Sequence, residues 1–131
     1  LPFPRFLDVL TDDRTPGRRI GDDGEIAAAG YLRTRGYKIL GRNVRLVKDE
    51  IDIIAYDPFD GCVVFVEVKS RARAVSDYSP AMRLDMRKRT AMARAAQKWI
   101  TKKNYHGGYR MDAILVADGR VMDHYKEIGA D

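Results

Sequence analysis

The sequence has one cysteine, Cys62, so no disulfide forms within the chain and the fold must be held by its core. That suits a reducing, cytoplasmic setting. No apolar run approaches the roughly 18 residues of a membrane span, so no membrane is expected. Leu1-Pro2-Phe3-Pro4 lacks the apolar core of a secretory leader, and the chain opens on Leu1 rather than Met. The two histidines, His106 and His124, have no Cys/His companions at zinc-ligand spacing. There is no internal repeat and no glycine-rich phosphate loop. A disulfide scaffold, a zinc ribbon and a P-loop enzyme are thereby set aside.

What is present is charge of both signs on a chain of one-domain size. Its 131 residues are 45% hydrophobic, enough for a core. It carries 24 basic and 19 acidic side chains, a formal net charge of +5. The pI near 9.4 lies in the range where nucleic acid is a candidate partner. Three prolines fall in the first 21 residues with the pair Arg18-Arg19, and residues 1–20 are expected to be a flexible tail. Residues 21–131 then form a single domain.

The most informative stretch runs from Glu50 to Arg71. Two β-branched runs flank Asp57-Pro58-Phe59-Asp60-Gly61, which predicts a hairpin. Side chains alternate along a strand, so Glu50 and Asp52 share one face, as do Phe65, Glu67, Lys69 and Arg71. Val64, Val66 and Val68 supply the core on the other. Glu67 and Lys69 interrupt one of the most apolar runs in the chain, and a charge there must be paired, solvated or bound to something. One reading is a surface ion pair, contributing about 0–1 kcal/mol. The other is a divalent-metal site of carboxylates beside a lysine that acts on a phosphate or a water.

The flanking elements follow from period and punctuation. Ala28, Ala29 and Leu32 form one face of a helix from Asp22 or Asp23 to Arg35, stopped by Gly36. Glu25 begins that stripe; it either closes a capping box with Asp22 or points inward. Tyr37 to Val47 reads as a strand on which Asn43 and Arg45 share a face, with Lys48-Asp49 as the turn that follows. Arg71 to Ser79, with Arg73, is a polar loop that either grips a substrate or is disordered. A second helix runs from about Pro80 to Asn104. Leu84, Ala91, Met92, Ala95, Trp99 and Ile100 form its apolar arc; Arg83, Arg87, Arg94 and Lys98 line the next face. That basic stripe is either solvated or a phosphate-binding ridge. Lys88 falls inside the apolar arc. Arg110 to Ala117 and Val121 to Ile128 read as strands joined by Asp118-Gly119. The strand after the second helix is free to pair in parallel with the third strand across that helical crossover.

An Asp ending one strand followed by Glu-x-Lys in the next resembles the PD-(D/E)XK nuclease superfamily. The run from Glu50 to Arg71 looks especially like the YraN family of bacterial proteins and is similar to archaeal Holliday junction resolvases. Gly24-Glu25, Ala28, Tyr31-Leu32, Gly36-Tyr37, Asn43-x-Arg45, Lys88, Ala95-Ala96 and Arg110-x-Asp112 extend the resemblance over about residues 21–117. The chain departs from the family in having Asp49 where a glycine is usual. It also has Tyr78-Ser79-Pro80 where a glycine is frequent, and it lacks the family's C-terminal ending.

The resemblance implies an α/β, restriction-endonuclease-like three-layer domain with a central mixed β-sheet flanked by helices. It implies a metal-dependent nuclease acting on DNA, with branched or damaged structures among the candidate substrates, or a binding or adaptor domain that keeps the fold without turnover. Glu25, Asp52, Glu67 and Lys69 are the catalytic candidates, with Glu50 auxiliary. Asp52, Glu67 and the Val68 carbonyl are the expected ligands of Mg²⁺ or Mn²⁺. Arg45, Arg71, Arg73, Arg83, Arg87 and Lys88 are the nucleic-acid contacts, and a homodimer is possible.

Overall fold

The computed structural model describes residues 23–71 and 86–128, with only the backbone given at Arg71, Met86 and Arg87. The expected tail over residues 1–20, the cap at Asp22, the loop bearing Arg73 and the helix start bearing Arg83 lie outside the described residues. Helix α1 (Asp23–Thr34) precedes strands β1 (Lys38–Leu46), β2 (Asp49–Asp57) and β3 (Cys62–Arg71). Helix α2 (Met86–Lys103) follows, then β4 (Gly108–Ala117) and β5 (Arg120–Tyr125).

The five strands form one mixed sheet in the order β1-β2-β3-β4-β5. Short connections make β1–β2 and β2–β3 antiparallel, whereas α2 carries the chain across so that β4 runs parallel to β3. The α1 side of the sheet buries Ala28, Ala29 and Leu32 with Ile53, Ala55, Val64, Val66, Ile114 and Val116. The α2 side buries Met92, Ala95, Ala96 and Trp99 with Leu40, Ile54, Val63 and Phe65. Phe65 meets Trp99 edge-on with ring centroids 5.5 Å apart, a geometry worth about 0.5–1.5 kcal/mol beyond area burial. The α/β three-layer expectation is met, including the parallel β3–β4 pair.

Helix ends follow the local chemistry. Gly36, at φ 92°, lets Tyr37 donate to the Leu32 carbonyl and ends α1. Asn104, at φ 53°, does the same for α2, with Tyr105 donating to Ile100. The last strand is shorter than its sequence suggested. β5 stops at Tyr125, and Glu127 and Ile128 then donate backbone hydrogen bonds to the Asp112 carboxylate and the Met111 carbonyl. Those bonds turn the chain back over β4 rather than along it.

The β1–β2 turn sits one residue earlier than the sequence suggested. Leu46 pairs with Asp49, so Val47-Lys48 is the turn. Asp49 is instead a buried strand residue. Its carboxylate accepts from Arg94 Nε and Nη2, both at 3.0 Å, and from Lys98 Nζ at 2.9 Å, tying α2 to the sheet corner. These hydrogen bonds, Arg94's first, hold the carboxyl well below the usual carboxylate range.

Val47 takes φ 63° while 80% exposed. Left-handed backbone costs an L-residue about 1–2 kcal/mol, and a β-branched residue adopts it least readily. Glycine removes that cost at some expense in unfolded-chain entropy. Val47→Gly is therefore expected to stabilise the domain by about 0.5–1 kcal/mol, read as a higher urea midpoint. An unchanged or lower midpoint would contradict the left-handed turn.

Candidate functional site

The β2–β3 ladder runs from Asp57↔Cys62 to Ile53↔Val66 and stops there, although both strands continue. β3 stays paired to β4 as far as Arg71↔Ala117. Beyond Val66, β3 therefore turns an open backbone edge toward the start of β2. Asp52 fills that edge: its Oδ2 accepts the Val68 N–H at 2.8 Å, taking a donor that the lost ladder leaves over. Glu67, one residue earlier on β3, has a side chain only 12% exposed. Lys69 is half-buried two residues further on, where strand alternation returns it to the face of Glu67.

Two helices close on this notch. Glu25, in the first turn of α1, is buried with Ala28, Ala29 and Leu32, so it points inward as the second of its two readings required. Lys88, in the first turns of α2, places its Nζ 2.8 Å from Glu67 Oε2. The ion-pair partner of Glu67 is thus Lys88 rather than Lys69. This explains a lysine inside the apolar arc: its ammonium meets an acid on β3.

The electrostatics bear out the crowding. Burial, and then the Glu67 and Glu25 carboxylates, push the Asp52 carboxyl far above its usual value. The Val68 N–H and Lys88 offset only part of this. Hard oxygen donors repelling one another in a partly dry notch suit a small divalent cation. Among the described residues no three His, Cys, Asp or Glu side chains converge on one point. Asp52 and Glu67 are hard oxygen donors of the kind Mg²⁺ takes, usually one or two carboxylates with several waters. The donor set therefore fits the expected metal.

The remaining candidates fall as follows. Glu50 is exposed at the start of β2, opposite Arg45, which is exposed on β1. The Arg71 and Arg87 side chains, and all of Arg73 and Arg83, lie outside the described residues. Of the expected basic stripe, Arg94 and Lys98 are committed to Asp49.

A second constellation lies at the opposite end of β3, built on the Arg110-x-Asp112 of the family resemblance, to which the sequence assigned no role. Arg110, with a side chain 4% exposed, donates to both Asp112 oxygens, to Asp57 Oδ2 and to Tyr37 Oη, all at 2.9–3.0 Å. It also bonds Asp60, whose side chain is 56% exposed. His124 Nε2 lies 2.7 Å from Asp112 Oδ2, and its Nδ1 lies 3.1 Å from Tyr31 Oη. Burial alone would raise the Asp57 and Asp112 carboxyls, but hydrogen bonds from Arg110 and the Phe59 N–H hold Asp57, and those from His124 and Arg110 hold Asp112, below the usual value. Burial pushes the Tyr37 hydroxyl up to about 12. A usable signal was present: Arg110 and Asp112 are charges in an apolar strand, just as Glu67 is.

A mixed five-stranded sheet between two helices, with Asp52, Glu67 and Lys69 where two strands part, defines the three-layer class of α/β domain. Within that class the chain belongs to Uncharacterised protein family UPF0102, whose model matches residues 24–116; this is the YraN family of the sequence resemblance. The UPF0102 protein of Trichlorobacter lovleyi is 40% identical over 103 residues, covering 76% of this chain and 80% of that one. The one from Corynebacterium efficiens is 36% identical over 120 residues, covering 88% and 95%. Among solved structures, a repair endonuclease from Pyrococcus abyssi is similar at a TM-score of 0.43 and 22% identity. That match spans 76% of this chain and 39% of the endonuclease. No helix among the described residues is long and apolar enough to cross a membrane.

Proposed function

We propose that this protein is a divalent-metal-dependent nuclease that hydrolyses phosphodiester bonds in DNA, acting on branched or damaged structures in repair or recombination. The observation that carries this reading is the approach of Asp52 to β3 beside Glu67, where the ladder ends and Lys69 follows. Asp52 and Glu67, with the Val68 carbonyl, would hold Mg²⁺ or Mn²⁺, and Glu25 would take part directly or through water. When bound, such an ion polarises a phosphoryl oxygen and lowers the pKa of a water. Lys69 orients the attacking water or stabilises charge on the phosphate. Lys88 keeps Glu67 oriented. Arg45, with Arg71, Arg73, Arg83 and Arg87, holds the phosphate backbone. The setting is the cytoplasm, and cutting two strands together calls for a homodimer.

One observation favours a second reading, a nucleic-acid-binding or adaptor domain without turnover. The Lys88 ammonium already neutralises Glu67, as a structural cation would. Metal response separates the two. Mn²⁺ is expected to raise the melting temperature of the wild type by several degrees at saturating concentration, since a ligand bound only by the native state stabilises it. Asp52→Asn and Glu67→Gln are expected to abolish the rise. Equal shifts in all three proteins would remove the metal site. Turnover is then assayed on linear, nicked, flapped and four-way DNA in Mg²⁺ or Mn²⁺.

A further inference from the structure

At the far end of α1 from Glu25 a cavity of about 360 Å³ opens between α1, the β2–β3 hairpin and the end of β5. Its lining includes Tyr31, Arg35, Tyr37, Phe59, His124 and Lys126. The volume falls within the range of small-ligand pockets, roughly 300–1,000 Å³. Phe59 is a large apolar side chain left 81% exposed at the hairpin tip. A Cβ on Gly36 would come within 3.2 Å of the Phe59 ring, so the glycine admits the ring at the helix end. Arg35 lays its guanidinium 4.7 Å from the Tyr31 ring centroid.

The floor beneath these groups is fixed. Asp112 is fully buried and ionised between Arg110 and His124. His124 is held from both sides, with Nε2 2.7 Å from Asp112 Oδ2 and Nδ1 3.1 Å from Tyr31 Oη. Tyr31 is also packed edge-on to the His124 ring at 5.6 Å. The result is a rigid aromatic and guanidinium wall, a second exposed aromatic ring facing the cavity, and cations from Arg35 and Lys126. Asp60, 56% exposed, adds an acceptor.

We infer that this cavity binds one unpaired nucleobase of a DNA strand, stacked on Phe59 with its phosphate toward Arg35 and Lys126. Aromatic faces interleaved with cations are how proteins hold single strands, because every base offers a π-face. The ring of Phe59 is already in water, so stacking buries it without unpacking the core. Glu25 and the cavity are separated along α1 by roughly 14 Å at 1.5 Å per residue. A strand stacked at 3.4 Å per nucleotide spans that in about four nucleotides. The inference rests on the nuclease reading for what brings DNA to the protein, and it refines the substrate to DNA with an unpaired base near the cut.

The test measures binding without divalent metal, so that no cleavage intervenes. A short single-stranded DNA carrying a fluorescent adenine analogue, and a blunt duplex of the same length, are titrated with wild type, Phe59→Ala and Phe59→Trp. Stacking of one base commands about 5- to 150-fold in affinity. Phe59→Ala is expected to lose that much on the single strand and little on the duplex, and Phe59→Trp is expected to retain it. Fluorescence of the analogue is expected to be quenched by wild type and Phe59→Trp but not by Phe59→Ala. Equal losses on both DNAs, no loss, or no single-strand binding by wild type would each overturn the pocket. Phe59 is exposed, so the variants keep their thermal midpoint. The nuclease reading fails separately, through the metal response and turnover.

Discussion

Arg110→Ala is expected to cost about 3–5 kcal/mol, a large part of the roughly 5–15 kcal/mol that holds a small domain together. Among the described residues the Arg110 guanidinium alone touches Asp57, Asp112, Tyr37 and Asp60 at once. Removing it leaves Asp57 and Asp112 as charges in a dry interior. The loss is the cost of abandoning those charges rather than the worth of the pairs themselves. Arg110→Lys restores charge without the planar fork and is expected to recover only part of it. Asp60→Asn is the contrasting case. Its side chain is more than half exposed, so the change is expected to stay within about 1 kcal/mol. Urea denaturation of the three variants checks the order. Equal midpoints for Arg110→Ala and Asp60→Asn would contradict a buried network.

The same network sets an acid limit. The folded Asp57 and Asp112 carboxyls lie below their usual value. Their contribution is therefore complete above the unfolded value near 3.9 and is lost as pH falls through the folded values. Asp49 acts in the same sense through Arg94 and Lys98. These three carboxylates make stability fall on the acid side of about 4, whereas Asp52, raised to about 8, acts in the opposite sense and costs stability as pH rises from about 4 toward 8.

What was legible in the sequence was local. Alternation placed Val64 and Val66 on one side of β3 and Phe65 and Glu67 on the other. Helical period placed Ala28, Ala29 and Leu32 in the core and Gly36 at the helix end. Pairings between distant residues were not legible. Nothing near Asp49 announces Arg94 and Lys98, and Asp57 and Tyr37 reach Arg110 only after the sheet has formed. Lys88 stood out because an ammonium in an apolar arc needs a partner, but only the closed fold names Glu67. The Val47-Lys48 turn was displaced because a β-branched residue at positive φ contradicts turn propensity. There the buried clamp on Asp49 prevails over the local preference.

Lys69→Met is expected to lower DNA cleavage by two orders of magnitude or more while leaving the fold, metal binding and most DNA affinity in place. The structure makes this a clean substitution. Lys69 is half-buried, and among the described residues it forms no ion pair, because Glu67 is held by Lys88. Methionine keeps the apolar stem against β4, where Lys69 lies in register with Leu115. What is lost is one ammonium beside the open edge of β3. If that charge acts on the reacting phosphate and water, its value appears in the transition state, so kcat falls more than binding weakens. Lys88→Met separates the two lysines. It frees Glu67 and is expected to alter Mn²⁺ affinity, which Lys69→Met leaves unchanged. A binding module has no cleavage to lose, and a structural lysine would show itself in the urea midpoint instead. Cleavage by Lys69→Met at the wild-type rate, or no cleavage by wild type on any of the DNA structures with either metal, would overturn the mechanism.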